Sequence, residues 1–344
     1  MGRRFRRKVG HNFSSRLRLI RVNSCPPVVK MLNDSAREFL NATHWRDAPC
    51  EPLTGDASGR KYFRLRKDEQ SAVLMDASQA PESVAPFIQI NQHLHQLGFS
   101  VPAILSRPDE KGFLLLEDFG DATFARLLDK PCEPEKFYAL ATDVLIALHR
   151  HPQAIPTGLR VYHPETMLED IELFLEWHTI SKAGQAEFRA VWREVLPLAH
   201  RVPASLLLRD YHVANLMLLP DRRGVRQAGL LDFQDAYQGP ITYDLMSLLE
   251  DARRDVPEEL KENMVAHYLA HFPTLDRSAF ESSMVILAAL RHTRVLAIFE
   301  KLSRHEKKHD YKKLHSPRVE RLLQRALRHP MLAGVKQWME HYAR

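Results

Sequence analysis

Apolar positions alternate along residues 62–76, where Phe63 and Leu65 are interleaved with Tyr62, Arg64 and Arg66 and followed by the run Ala72-Val73-Leu74-Met75. A period of two predicts a pair of β-strands. Gly112-Phe113-Leu114-Leu115-Leu116-Glu117 predicts another strand, reached through a helix over 85–97. Ser35-x-x-Glu38, with Phe39 and Leu40 beside it, has the form of a capping box and predicts a first helix. Further along, the period lengthens. Phe137, Leu140, Ala141, Val144, Leu145 and Leu148 recur at helical spacing and predict an amphipathic helix over 134–149 whose apolar stripe is core. Helices are also expected over 166–178, 185–200, 241–251 and 282–303. Short apolar runs at 205–208, 216–219 and 228–231, with turn chemistry at 221–224, interrupt this helical half as strand, loop and hairpin. The pattern predicts an α+β chain, with a small sheet-rich N-terminal part and a mainly helical remainder.

The short runs frame the most specific chemistry in the chain. Asp210 follows the first, Asn215 stands five residues later, and Asp232 follows the third. All three lie at strand ends, where they can converge. Phosphoryl transfer needs such a set: one carboxylate to orient the acceptor hydroxyl and take its proton, and an amide and a second carboxylate to hold the Mg2+ that bridges the nucleotide phosphates. Each residue alone reads as a turn or cap residue. The ordered set, with Gly239-Pro240 and Asp244 behind it, favours a kinase catalytic loop, with Asp210 catalytic and Asn215 and Asp232 on the metal.

Arg209-Asp210-Tyr211-His212-x-x-Asn215-Leu216, Leu231-Asp232-Phe233-Gln234-Asp235-Ala236 and Gly239-Pro240-Ile241-Thr242-Tyr243-Asp244-Leu245 resemble the aminoglycoside phosphotransferase/choline kinase superfamily. Within it they are most similar to the bacterial anomeric kinases of N-acetylmuramate and N-acetylglucosamine, from about residue 31 onward. Many superfamily members carry His where this chain has Leu208, an architectural position. The resemblance implies a protein-kinase-like two-lobed fold, with a small antiparallel-sheet N-lobe over 31–117, a hinge near Glu117 and a mostly helical C-lobe over 118–344. It implies ATP and Mg2+ as cofactors, a small-molecule sugar acceptor, and Asp244 as a brace for the catalytic loop. The turn Gly55-Asp56-Ala57-Ser58-Gly59 can cradle phosphates through its backbone N–H groups. The family's phosphate-binding Lys is missing from the 72–76 strand, so Arg60, Lys61 and Arg64 are the candidate cations, and Glu117 marks the adenine-binding hinge. Glu172, Glu176 and Trp177 fall in the acceptor-lining segment, and Arg291, His292 and Arg294 form a cationic group suited to an acidic sugar. The alternatives are an aminoglycoside or choline-like kinase, and a catalytically dead kinase fold that serves as a binding module.

Composition changes this picture little. Residues 1–30 hold nine Lys or Arg and no Asp or Glu, leaving 40 basic against 43 acidic residues in the remainder of a chain whose net charge is +6. The basic pI of 9.2 therefore belongs to the tail. A disordered tail, or a translation start at Met31, is the expectation, with no nucleic-acid partner for the folded body. The longest uninterrupted apolar run, at 284–290, is far short of a membrane span. Cys25, Cys50 and Cys132 lie too far apart for a metal or disulfide motif, and a reducing, cytoplasmic setting with a monomeric enzyme is expected. Two motifs are coincidences. Asp118-Phe119-Gly120 mimics a kinase metal motif but precedes the catalytic loop, and His305-Glu306-Lys307-Lys308-His309 mimics a zinc motif on a solvated, charged segment.

Overall fold

The structure, a computed structural model, describes residues 32–53, 59–106, 111–178, 180–305 and 309–343. Its N-terminal part contains α1 (Asp34–Asn41), β1 (Cys50–Leu53), β2 (Lys61–Lys67), β3 (Gln70–Asp76), α2 (Val84–Gln96) and β4 (Phe113–Glu117). The four strands form one antiparallel sheet in sequence order. The basic tail, Gly55 and Ser58 lie outside the described residues, as does the centre of the zinc-like motif.

The alternation of β2 sorts its residues between two layers. Phe63 pairs with Leu74 and Leu74 with Leu115, a row that packs with Leu65, Ala36 and Leu40 beneath α1. Tyr62–Met75–Leu114 and Arg64–Val73–Leu116 form the rows of the opposite face. That face joins Phe87 and Ile90 of α2 and the main core. Asn33 caps α1 in place of the expected Ser35. It precedes the first helical residue in extended conformation, and its Oδ1 accepts from the Ala36 amide at 2.7 Å.

The rest is mainly helical: α3 (Phe124–Leu128), α4 (Pro134–Arg150), α5 (Pro164–Glu172), α6 (Lys182–Val195), β5 (Ala204–Leu207), β6 (Leu216–Leu218), β7 (Ala228–Leu230), β8 (Tyr237–Pro240), α7 (Thr242–Leu249), α8 (Glu258–Ala270), α9 (Arg277–His305), α10 (His309–Ala326) and α11 (Ala333–Tyr342). β5 pairs with β8 and β6 with β7, both antiparallel, so the three predicted apolar runs become two small ribbons. Every residue of α7 is buried, and it lies against α9. α9 is long and apolar enough to cross a membrane by composition, with a mean hydropathy of 1.4 over its best window. Uninterrupted runs miss this because Arg291, His292 and Arg294 break the apolar stretch. Yet 67% of that window is buried inside the fold, so α9 is a core helix here. It packs on α5, α7 and α10, while α5, α6, α9 and α11 share a second core around Phe188, Trp192 and Trp338.

Candidate active site

The chain between β5 and β6 turns sharply at Arg209, whose φ is +72°. The Asp210 amide donates to Leu208 O at 2.9 Å across it, giving a strained γ-turn. Such a turn persists only when its surroundings hold it. Asp244, at the start of α7 and 1% exposed, does so: its Oδ2 accepts from the Leu208 amide at 2.6 Å and its Oδ1 from the Arg209 amide at 2.9 Å. Burial pushes the Asp244 carboxyl up to about 7, against the pull of those two amides.

Asn215 closes the loop. Its Nδ2 donates to Asp210 O at 2.9 Å, and its own carbonyl accepts from the Leu231 amide at 3.0 Å. The second bond ties the metal-ligand candidates Asn215 and Asp232 to one another through the chain. Asp232 is itself held at φ +58°, a conformation rare for a non-glycine residue and concentrated at functional sites. With its amide nitrogen engaged, Asn215 presents an oxygen, and Asp232 supplies a carboxylate whose side chain is 40% exposed. Among the described residues no group of three or more His, Cys, Asp or Glu is placed to hold a metal ion. One amide and one carboxylate oxygen, completed by phosphate and water, is the sparse donor set that suits Mg2+.

Asp210 and Asp232 sit in opposing fields. Burial raises the Asp210 pKa, but Arg294, Arg291 and Arg209 outweigh it and hold the carboxyl below its usual value. Burial and the neighbouring Asp210 charge raise Asp232, against Gln234 and Arg60. A carboxylate kept ionised can orient a hydroxyl and accept its proton, whereas a destabilised carboxylate beside it is relieved by a cation. His212 stays neutral, because burial pushes it down to about 4, and its Nε2 lies 3.3 Å from Asn215 Nδ2 and from Arg253.

A cleft of about 410 Å³ lies between the sheet and this loop, lined among others by Tyr62, Arg64, Val73, Glu117, Asn215 and Asp232. The candidate cations divide by strand parity. Arg60 shares the cleft face with Tyr62 and Arg64, and its guanidinium reaches Asp232 Oδ1 at 2.9 Å, 172 residues away. Lys61 is corrected by the same parity: it is exposed and falls on the face of Phe63 and Leu65, away from the cleft. Arg64 is corrected too. It lies on the cleft but is 5% exposed at its side chain, with NH1 bridging both Asp121 oxygens at 3.0 Å and NH2 bonded to Asp118 Oδ1 at 2.9 Å and Gly120 O at 2.8 Å. Its donors hold the chain after β4 to the sheet, and few remain for a phosphate. Glu117 lines the cleft, but its amide donates to Ala103 O at 2.8 Å and its carboxylate takes Arg222 at 2.6 Å and the Ala103 amide at 3.1 Å. Asp118 and Phe119, just beyond it, line the same cleft. Gly59 is the first described residue after the small-residue turn.

The acceptor-side candidates scatter. Trp177 lines a separate cavity of about 580 Å³ with Phe174, His178, Glu300 and Arg304, which shares no lining residue with the cleft, and Glu176 is exposed outside both linings. His292 is corrected: it is completely buried, and its Nε2 meets Glu250 Oε2 at 2.7 Å. Burial lowers its pKa in spite of that partner, so it adds no charge to a patch. Arg291 is 4% exposed and acts on Asp210 from inside. Asp170, on α5, was not foreseen. It takes a 2.6 Å bond from the Tyr162 hydroxyl and pairs with Arg209, with Arg294 Nε 3.8 Å from the same oxygen. No local motif marks it.

A cleft over a braced Asp-Asn-Asp loop has the layout of a phosphotransferase of the kinase class. Residues 49–280 match the model of the phosphotransferase enzyme family, and the chain belongs to that family. Curated relatives include the N-acetylmuramate/N-acetylglucosamine kinase of Caulobacter vibrioides, 32% identical over 346 residues that span 88% of this chain and 94% of the relative. The protein of the same name in Pseudomonas putida is 32% identical over 296 residues, spanning 81% and 85%. Among solved structures, a choline/ethanolamine kinase family protein from Mesorhizobium loti superposes with a TM-score of 0.62 at 17% identity, over 88% of this chain and 99% of that one. An ADP-bound aminoglycoside phosphotransferase, APH(2'')-Ib, gives 0.58 at 18% identity, over 88% and 99%. The fold is protein-kinase-like.

Proposed function

We propose that this enzyme transfers the γ-phosphoryl group of ATP to the anomeric hydroxyl of N-acetylmuramate or N-acetylglucosamine, giving the α-1-phosphate and ADP in cell-wall sugar recycling. The observation that carries the acceptor is the relatedness, across nearly the whole chain, to kinases named for these two sugars. Asp210 takes the proton from the anomeric oxygen, which forms its bond to the γ-phosphorus as the bond to the β-bridging oxygen breaks and ADP leaves. An anomeric hydroxyl is more acidic than an ordinary sugar alcohol, so a carboxylate held ionised by its arginines suffices. Asn215 and Asp232 would hold Mg2+, which when bound neutralises the phosphate charge. Arg60 is the cation that replaces the missing strand lysine. It starts on Asp232 and is positioned to turn to the phosphates once Asp232 engages the metal. ATP binds where residues 31–117 face residues 118–344, in a cytoplasmic monomer.

Aminoglycosides and choline are cationic, and the arginines around Asp210 disfavour them as acceptors. The fold neighbours that act on such compounds share less than a fifth of their residues with this chain. A dead binding module is disfavoured by the intact trio and by the left-handed Asp232. An ADP-release screen over N-acetylated amino sugars, plain hexoses, aminoglycosides and choline, with phosphorus NMR of the product, tests the reading. A 1-phosphate from the N-acetylated sugars is expected. A 6-phosphate, or turnover confined to aminoglycosides or choline, would overturn the acceptor while leaving the kinase class intact.

A further inference from the structure

We infer that Arg294 is a specificity residue that takes the carboxylate of an acidic acceptor sugar, an inference that rests on the amino-sugar reading above. Three arginines act on Asp210, and the structure gives them different degrees of freedom. Arg209 is 8% exposed at its side chain, paired with Asp170, and lies over the rings of Tyr237 at 5.2 Å and Tyr162 at 5.6 Å. Arg291 is 4% exposed and reaches Asp210 from within the helical core. Arg294, one turn further along α9, keeps 21% of its side chain accessible. Its nearest carboxylate oxygen, on Asp170, is 3.8 Å from Nε, too long for a hydrogen bond and already claimed by Arg209 and the Tyr162 hydroxyl.

Asp244 acts on Arg291 and Asp170 pairs with Arg209, which leaves Arg294 the most accessible of the three and the one with no hydrogen-bonded carboxylate among the described residues. A sugar whose anomeric oxygen rests on Asp210 extends its other ring substituents away from the phosphates. N-acetylmuramate differs from N-acetylglucosamine by a lactyl ether that ends in a carboxylate. A guanidinium with unused, forked donors is suited to such a group.

The test compares the two sugars in wild type, Arg294→Gln and Arg294→Lys, with kcat and KM measured separately and thermal unfolding recorded for each. Arg294 also acts on Asp210, so losses shared by both sugars are expected in Arg294→Gln. The ratio of kcat/KM for N-acetylmuramate over N-acetylglucosamine is the decisive quantity. It should fall about tenfold to a hundredfold in Arg294→Gln, mainly through KM, the worth of one charge-assisted hydrogen bond. Arg294→Lys, which keeps the charge, should retain a substantial part of the preference. An unchanged ratio in both variants, or a loss expressed in the KM for ATP, would overturn the inference while leaving the amino-sugar reading in place. Wild-type protein that phosphorylates neither sugar would overturn that reading, and this inference with it.

Discussion

The chain contains two Asp-Phe pairs, Asp118-Phe119 and Asp232-Phe233, and each Asp meets an arginine in or next to β2: Arg64 at its centre and Arg60 just before it. Their environments are opposite. Asp118 is 5% exposed at its side chain and takes Arg64 through two contacts, Nε at 2.7 Å and NH2 at 2.9 Å, together with the Gly120 amide. Burial raises its pKa, yet Arg64 and the Gly120 amide bring it below the usual carboxylate value. Asp232 keeps 40% of its side chain accessible, stands at φ +58° beside another carboxylate, and has its pKa raised. Both phenylalanines border the cleft, but Phe233 is buried and stacked on Phe87, with ring centroids 5.2 Å apart, whereas Phe119 is partly exposed. The satisfied carboxylate holds the fold together. The strained one, with coordination still to offer, is equipped for chemistry.

The largest expected effect separates these roles directly. Asp210→Asn and Asp232→Asn should each lower turnover by roughly 10²–10³, the scale for one preorganised electrostatic element. Neither should lower the melting temperature much, because Asn preserves the shape and an acceptor for Arg60. Steady-state rates at saturating ATP and Mg2+ check this, and near-normal turnover in either variant would show that the loop is misassigned.

Asp118→Asn should do the reverse. Removing one of the two carboxylates that hold Arg64, with Asp121 still in place, is expected to cost about 1–3 kcal/mol of stability, the scale of hydrogen bonds to a charged group, while the protein that remains folded keeps most of its turnover. The effect carries a pH signature. A carboxyl whose folded pKa lies below its unfolded value stabilises the protein above the unfolded value, 3.8 for this group, and that contribution is lost as pH falls through the folded one. The stability gap between wild type and Asp118→Asn should therefore be full at neutral pH and close as the pH falls below about 4. Denaturant titrations at neutral and acidic pH measure it. A gap that stays constant or widens on acidification would mean that the Asp118 charge is not what stabilises.

The convergence of the candidate loop was legible in the sequence, because Asp210, Asn215 and Asp232 stand at the ends of short apolar runs within one stretch, and the structure ties Asn215 to Asp210 and to the residue before Asp232. The sheet and the helical remainder followed from period. Partnership across long separations did not. Asp170 meets Arg209 across 39 residues, and Arg60 meets Asp232 across 172, with no local pattern to announce either. Arg291-His292 reads as a cationic patch only if one face of α9 is open, and a helical period cannot say that α7 and α10 cover it. The last helices were missed for a related reason. α10 is so charged that its buried Val319 and Leu323 do not stand out as a stripe.

The smallest expected effect is the sharpest check on the cleft. Arg60 and Lys61 are adjacent cations, and composition gives no reason to prefer either as the phosphate ligand. Strand alternation does, since consecutive side chains of β2 point to opposite faces. Arg60 lies on the face of Tyr62 and Arg64 with its guanidinium on Asp232, while Lys61 is exposed on the α1 side. Arg60→Met should lower kcat/KM for ATP by about tenfold to a hundredfold, the worth of one charge-assisted hydrogen bond or slightly more. Lys61→Met should change stability by no more than about 0.5 kcal/mol, as expected of a surface substitution away from any cap or core contact, and leave the KM for ATP where it was. The pair is informative because both changes remove one positive charge from the same strand end. Equal losses would mean that long-range charge, not the facing of the strand, governs phosphate binding. A loss confined to Lys61→Met would reverse the assignment and place the phosphates on the other side of β2.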